Sequence, residues 1–234
     1  MKYLGIDGCR GGWFLIGLND DDSSRFCLLK KIVELNTYLD PADVVLIDVP
    51  IGLRGRHPDE RICDKQARKV LRPKRGSSVF PAPSRCALHC DAYAEASERN
   101  KACTHRGLSK QSYGILPKIR EVDDYLKNKD RRSKIHEMHP EVCFWALNKR
   151  SAMVHKKSIS EGYEERLAVL NKYYAQARKT VEMAMLQYRR AEVARDDIVD
   201  ALVGAVTARN SRPLHRFPEK PEFDAMGLPM EIVY

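Results

Sequence analysis

Apolar residues fall into short unbroken runs near the amino terminus and into runs of helical period further along. Tyr3-Leu4-Gly5-Ile6 and Val44-Val45-Leu46-Ile47 are continuous, the pattern of strands buried on both faces. Each run ends in an aspartate, Asp7 and Asp48. Residues 13–18 and 26–29 predict two further strands, with the polar run 19–24 as a hairpin loop and Gly8, Gly11 and Gly12 permitting a tight turn. Residues 32–39 predict a short helix with Val33, Leu35 and Leu39 as core contacts, and Pro50 stops the strand that carries Asp48. Residues 135–138 predict another strand, with Glu137 at its end and a helix starting at Pro140.

Residues 161–195 read as a long helical tract broken near Asn171, with Leu167, Leu170, Tyr174, Ala177, Val181, Met185 and Tyr188 as its apolar positions. Residues 196–209 give the clearest helix. On it, positions 197, 200, 201 and 204 share one face, which therefore carries two aspartates, an alanine and a glycine. Small residues there allow close approach to a sheet. Four prolines, at 213, 218, 221 and 229, mark an extended tail, and residues 231–234 predict a last strand. Strands alternating with helices place the chain in the α/β class.

Residues 51–133 interrupt that alternation. Glycine, proline, serine and basic residues rise, and the expectation is a partly helical basic insertion within a single domain, 1–234. Asp59 is placed to cap a helix running to about Leu71. On that helix Arg61, Lys65, Arg68 and Arg72 fall on one side, expected to face solvent, and Lys74 and Arg75 extend the basic surface into a loop. The net charge is +9, and from Arg54 to Arg85 ten Lys or Arg face three acids, so this segment holds most of it. A local positive field favours an anionic partner such as nucleic acid or a phosphorylated small molecule.

Seven cysteines, an odd number with no signal peptide ahead of them, fit reduced thiols and a cytoplasmic location. Cys86, His89, Cys90, Cys103 and His105 crowd one stretch, but no Cys-x-x-Cys spacing is present, and buried or surface thiols are expected there rather than zinc. No apolar run has the length of a bilayer span, so no membrane partner is expected.

The aspartates carry the chemistry. A carboxylate leaving a buried strand loses hydration and needs a compensating partner. Asp7, Asp48, Asp197 and Asp200 form the candidate ligand set for Mg²⁺ or Mn²⁺, with two ions suspected, and Glu137 is an auxiliary catalytic candidate. Hard cations take oxygen donors, and paired ions catalyse in-line displacement at phosphorus. A turn role for Asp7 and a helix-capping role for Asp197 are the competing structural readings.

Several motifs resemble a known family: Gly5-Ile6-Asp7-Gly8-Cys9-Arg10-Gly11-Gly12-Trp13, Ile47-Asp48-Val49-Pro50-Ile51-Gly52-Leu53, Cys63-Asp64 with Ala67-Arg68, and Val79-Phe80-Pro81-Ala82-Pro83-Ser84-Arg85. Ser109-Lys110-Gln111, Pro117-Lys118-Ile119-Arg120-Glu121-Val122-Asp123, Glu137-Met138-His139-Pro140-Glu141, Asp196-Asp197-Ile198-Val199-Asp200-Ala201 and Glu231-Ile232-Val233-Tyr234 follow in the same order. Together they are similar to the predicted RNase H-like nucleases, domain-of-unknown-function family 429. The resemblance implies a ribonuclease H-like mixed five-stranded sheet flanked by helices. It also implies Asp7 on the first strand, Asp48 after the fourth, and Asp197 and Asp200 in the place of the final-helix pair of resolvase-type nucleases.

A metal-dependent nuclease is therefore the leading expectation, with the surface from Arg61 to Arg75 on the phosphate backbone. An actin-like small-molecule phosphotransferase and a non-catalytic nucleic-acid-binding protein are the alternatives. The length hardly holds two actin-like lobes, and no P-loop sequence occurs.

Overall fold

The computed structural model describes residues 1–39, 42 and 44–234. Strands β1 (Tyr3–Cys9), β2 (Gly12–Leu18) and β3 (Ser24–Leu29) are successive antiparallel neighbours. A 3-10 turn, Ile32–Leu35, leads into α1 (Asn36–Leu39), and β4 (Val44–Asp48) then lies parallel to β1 on its other side. Helices α2 (Ile62–Leu71), α3 (Tyr93–Thr104), α4 (Lys110–Gly114) and α5 (Leu116–Tyr125) intervene before β5 (Ile135–Glu137), which pairs in parallel with β4. The sheet order is β3-β2-β1-β4-β5, a five-stranded mixed sheet compatible with a ribonuclease H-like fold.

Helices α6 (Pro140–Leu147), α7 (Ser160–Asn171), α8 (Ala177–Gln187) and α9 (Arg195–Asn210) follow. Strands β6 (Arg216–Phe223) and β7 (Pro229–Val233) form a separate antiparallel ribbon, joined to the main sheet by a bridge between Met138 and Val233. The tail expected to be extended is thus a strand, β6. The break in the long helical tract falls at residues 172–176, and α8 ends at Gln187, short of the expected 195.

Both faces of the sheet are covered, which is why its central strands read as unbroken apolar runs. Phe14, Ile16 and Leu18 of β2 and Leu46 of β4 pack against the layer of α6 to α9. Trp13 and Leu15, and Val45 and Ile47, pack on the opposite layer with Leu35, Leu116 and Ile119. One expected core contact, Val33, and one apolar position of the helical tract, Met185, lie outside both layers, exposed at 51% and 45%. Helical spacing places such residues on a stripe but does not say which edge of the stripe is covered.

Helix α9 is the central helix, buried from Ile198 to Ala208. It lies directly on β1, as its small residues led one to expect. A Cβ at Gly5 would fall 2.0 Å from the Ala201 carbonyl oxygen and 2.3 Å from the Ala205 amide nitrogen. Both obstacles are backbone atoms, so no rotamer change relieves the clash. Gly5→Ala is expected to lower the unfolding free energy by about 3 kcal/mol or more, measured by urea denaturation. A loss below about 1 kcal/mol would mean that α9 stands further from β1 than the structure places it.

Cys86 and Cys103 form a disulfide that ties the turn Arg85–Ala87 to α3. The expectation of uniformly reduced thiols is corrected accordingly; odd cysteine counts and spacing do not reveal which pair the fold brings together. The remaining five cysteines are free. No helix among the described residues is long and apolar enough to cross a membrane.

Candidate metal centre

Asp7 and Asp48 are register partners on the parallel strands β1 and β4, at the carboxyl ends where open α/β sheets bind ligands. Side chains alternate along a strand, so Asp7 shares its face with Gly5, and Asp48 with Leu46. That is the face covered by α9, and Asp200 in the helix's second turn meets them there. One carboxylate oxygen from each of Asp7, Asp48 and Asp200 lies within 4.8 Å of the others. Asp7 and Asp200 are buried, and Asp48 is half-buried.

Crowding of like charge sets the electrostatics. Burial, then Asp48 and Asp200, hold the Asp7 carboxyl well above the usual aspartate range. Burial and Asp200 push Asp48 up to about 7. Asp200 is raised by burial, with Lys157 opposing the rise. The Lys157 ammonium donates to Asp200 Oδ2 at 2.6 Å and lies 3.6 Å from Asp196. Among the described residues neither Asp7 nor Asp48 forms an ion pair. Three hard oxygen donors, short of positive charge, suit a divalent cation of the Mg²⁺ and Mn²⁺ class.

Two expected members stand elsewhere. Asp197 does not join the cluster: its Oδ2 accepts from the Ala194 amide at 2.8 Å, so it caps α9 and faces a separate cleft beside Arg10 and Arg190. Glu137 lines the same cavity as the cluster, but its carboxylate is held by Arg61 at 2.7 and 2.8 Å and by the Ile51 amide at 2.6 Å. The i, i+3 spacing of 197 and 200 was legible, and so was capping as the competing reading for Asp197; packing decided between them.

Arg61 corrects the expected basic face. It precedes the first turn of α2 and turns inward, 3% exposed, to bind Asp64 and Glu137 and the carbonyls of Ile51 and Gly52. The spacing argument failed because it began the helix too early. Arg68 is half-buried, pairing with Glu60 and donating to the Val79 carbonyl. Lys65, Arg72 and Lys74 are exposed, while Arg75 reaches back to the carbonyls of Met153 and Val154 and lines the cavity.

The cavity above the carboxylates has a volume of about 550 Å³. Three lysines that sequence reasoning did not single out, Lys118, Lys156 and Lys157, line it. Lys157 has no local signal, coming from an irregular polar stretch. Lys118 has one, in the spacing Lys118-Ile119-Arg120-Glu121. Glu121 accepts from the Trp13 indole at 3.0 Å, and Lys118 stands 4.3 Å over the Trp13 ring and donates to the Gly12 carbonyl. Burial lowers the Lys118 pKa, against the pull of Glu121 and Asp7. Gly11-Gly12-Trp13 thus forms the seat of a fixed lysine beside Asp7.

A raised folded-state carboxyl contributes stability that is complete below its unfolded value and lost as pH rises through its folded one. For Asp48 this window runs from 3.8 to about 7. In EDTA the protein is expected to lose stability as pH rises across that window, and Asp48→Asn to flatten the loss, as followed by thermal unfolding. Parallel curves for the two proteins would show that Asp48 ionises freely in the fold.

The family described as "Protein of unknown function (DUF429)" matches residues 5–222. No curated protein and no solved structure gives a significant match.

Proposed function

The chain belongs to the DUF429 family, and from that premise we propose that it is a divalent-metal-dependent phosphodiesterase acting on nucleic acid. The observation that carries this reading is the convergence of Asp7, Asp48 and Asp200 within 4.8 Å at the carboxyl ends of β1 and β4. A cluster of buried like charges is costly to a fold unless a cation is expected there. When bound, such an ion supplies charge neutralisation at a phosphoryl oxygen and lowers the pKa of an attacking water.

The chain's own residues do the rest. Asp7, Asp48 and Asp200 would hold the ion. Lys157 stabilises Asp200 in its absence and, once released, is placed to meet an anionic group. Lys118, fixed on Trp13, offers a second ammonium at the Asp7 side. Glu137 acts through Arg61 as a positioning residue for β5 and the start of α2. Lys65, Arg72 and Lys74 keep the proposed role of backbone contacts outside the cavity, with Arg75 inside it.

The test is cleavage of labelled single-stranded, duplex, hybrid and branched nucleic acids with Mg²⁺ or Mn²⁺ and with EDTA. Cleavage that requires the ion supports the proposal. Ion-independent binding without cleavage would instead identify a nucleic-acid-binding protein, and ATP-dependent phosphorylation of a small molecule would identify a phosphotransferase.

A further inference from the structure

We infer that the cavity receives a single nucleotide unit, so that the nucleic acid is engaged at a strand end and not at an internal duplex position. This deepens the phosphodiesterase reading and rests on it for the chemistry, though not for the binding. The first support is shape. A volume of about 550 Å³ lies within the range of small-molecule sites. Its lining joins the carboxylates to several separate segments, among them residues 75–80, 111–118, 137–141 and 156–158. Asp7 and Asp200 are 7% and 2% exposed, so a phosphate must enter the cavity to reach them, and a duplex, whose phosphates lie on a broad outer rim, is poorly shaped to do so.

The second support is chemistry. Phe80 and Ile115 give the wall a partly exposed apolar patch, which suits a base face. Lys118, held over the Trp13 ring, suits the phosphate, while Lys157 stays on Asp200 until an ion releases it. Lys118 is already immobilised by the Gly12 carbonyl and the Trp13 ring, so little side-chain entropy is lost when an anion arrives.

Binding is measured first, by calorimetry of nucleoside monophosphates with the full chain in EDTA. One molecule is expected to bind per protein, with affinity reduced about tenfold by Phe80→Ala and by Lys118→Met. Phe80→Ala removes a partly exposed ring and keeps the test alive if Lys118→Met fails to fold. Cleavage is measured second, with Mn²⁺, on a linear single strand, the same strand closed into a circle, and a duplex capped at both ends. The linear strand is expected to be degraded at least about a hundredfold faster than either closed substrate. Equal cleavage of the circle or the capped duplex would overturn the inference and leave the phosphodiesterase standing. Nucleotide affinity unchanged in both variants would also overturn it. Variant-sensitive nucleotide binding with no cleavage of any strand would uphold the single-nucleotide pocket and remove the phosphodiesterase, and would point to a free nucleotide as the ligand.

Discussion

Asp7→Asn is expected to abolish divalent-ion-dependent cleavage, with a fall of about a hundredfold or more, while the metal-free protein melts at the same temperature or higher. The two halves of this result have one cause. Asp7 is buried with Asp48 and Asp200 beside it and has no ion-pair partner among the described residues. In the absence of a cation its charge opposes folding, so an isosteric neutral side chain relieves the fold while removing a ligand. Asp200→Asn is expected to lose activity equally but to gain no stability, because it also releases the Lys157 ammonium now 2.6 Å from Asp200. Steady-state cleavage assays and thermal unfolding in EDTA measure both quantities. An Asp7→Asn protein that keeps its ion-dependent activity would sink the metal assignment. One that is inactive but less stable by roughly 1 kcal/mol would make Asp7 a structural residue of β1.

Arg61→Met is expected to lower the unfolding free energy by about 3–5 kcal/mol. The guanidinium holds Asp64 at 2.6 Å and Glu137 at 2.7 Å, all three side chains being nearly fully buried. Burial disfavours its charge, but Asp64 and Glu137 outweigh that and hold its pKa well above the usual range. Removing it leaves two carboxylates inside the protein without a counter-charge, and β5 loses its tie to α2. Urea denaturation reads the loss. A stable Arg61→Met protein with weakened nucleic-acid binding would instead return Arg61 to the solvent-facing role that helical spacing gave it.

The contrast between Asp7 and Arg61 marks how far local pattern reaches. Unbroken apolar runs ending in Asp7 and Asp48 were readable because a strand covered on both faces has no polar side to disguise it. The small face of residues 200, 201 and 204 was readable for a similar reason: only glycine and alanine let a helix lie against strand backbone at the distance seen at Gly5. Cysteine pairing was not readable, since Cys86 and Cys103 meet through the packing of a turn on α3. Nor was β6, the partner of the expected last strand, whose prolines masked strand character in an edge position where proline is tolerated.

For the site, sequence alone determined the aspartates at the ends of β1 and β4 and Asp200 on the last helix, because each sits on an element whose period is strong. Tertiary structure alone decided their company. It withdrew Asp197 to the α9 terminus, locked Glu137 to an inward-turned Arg61, and set Lys157 and Lys118 around the remaining three carboxylates. Residue spacing fixes the direction of a side chain relative to its own helix or strand. Which groups satisfy one another's charge depends on how those elements pack, and residues as far apart in the chain as Asp7 and Asp200 meet only there.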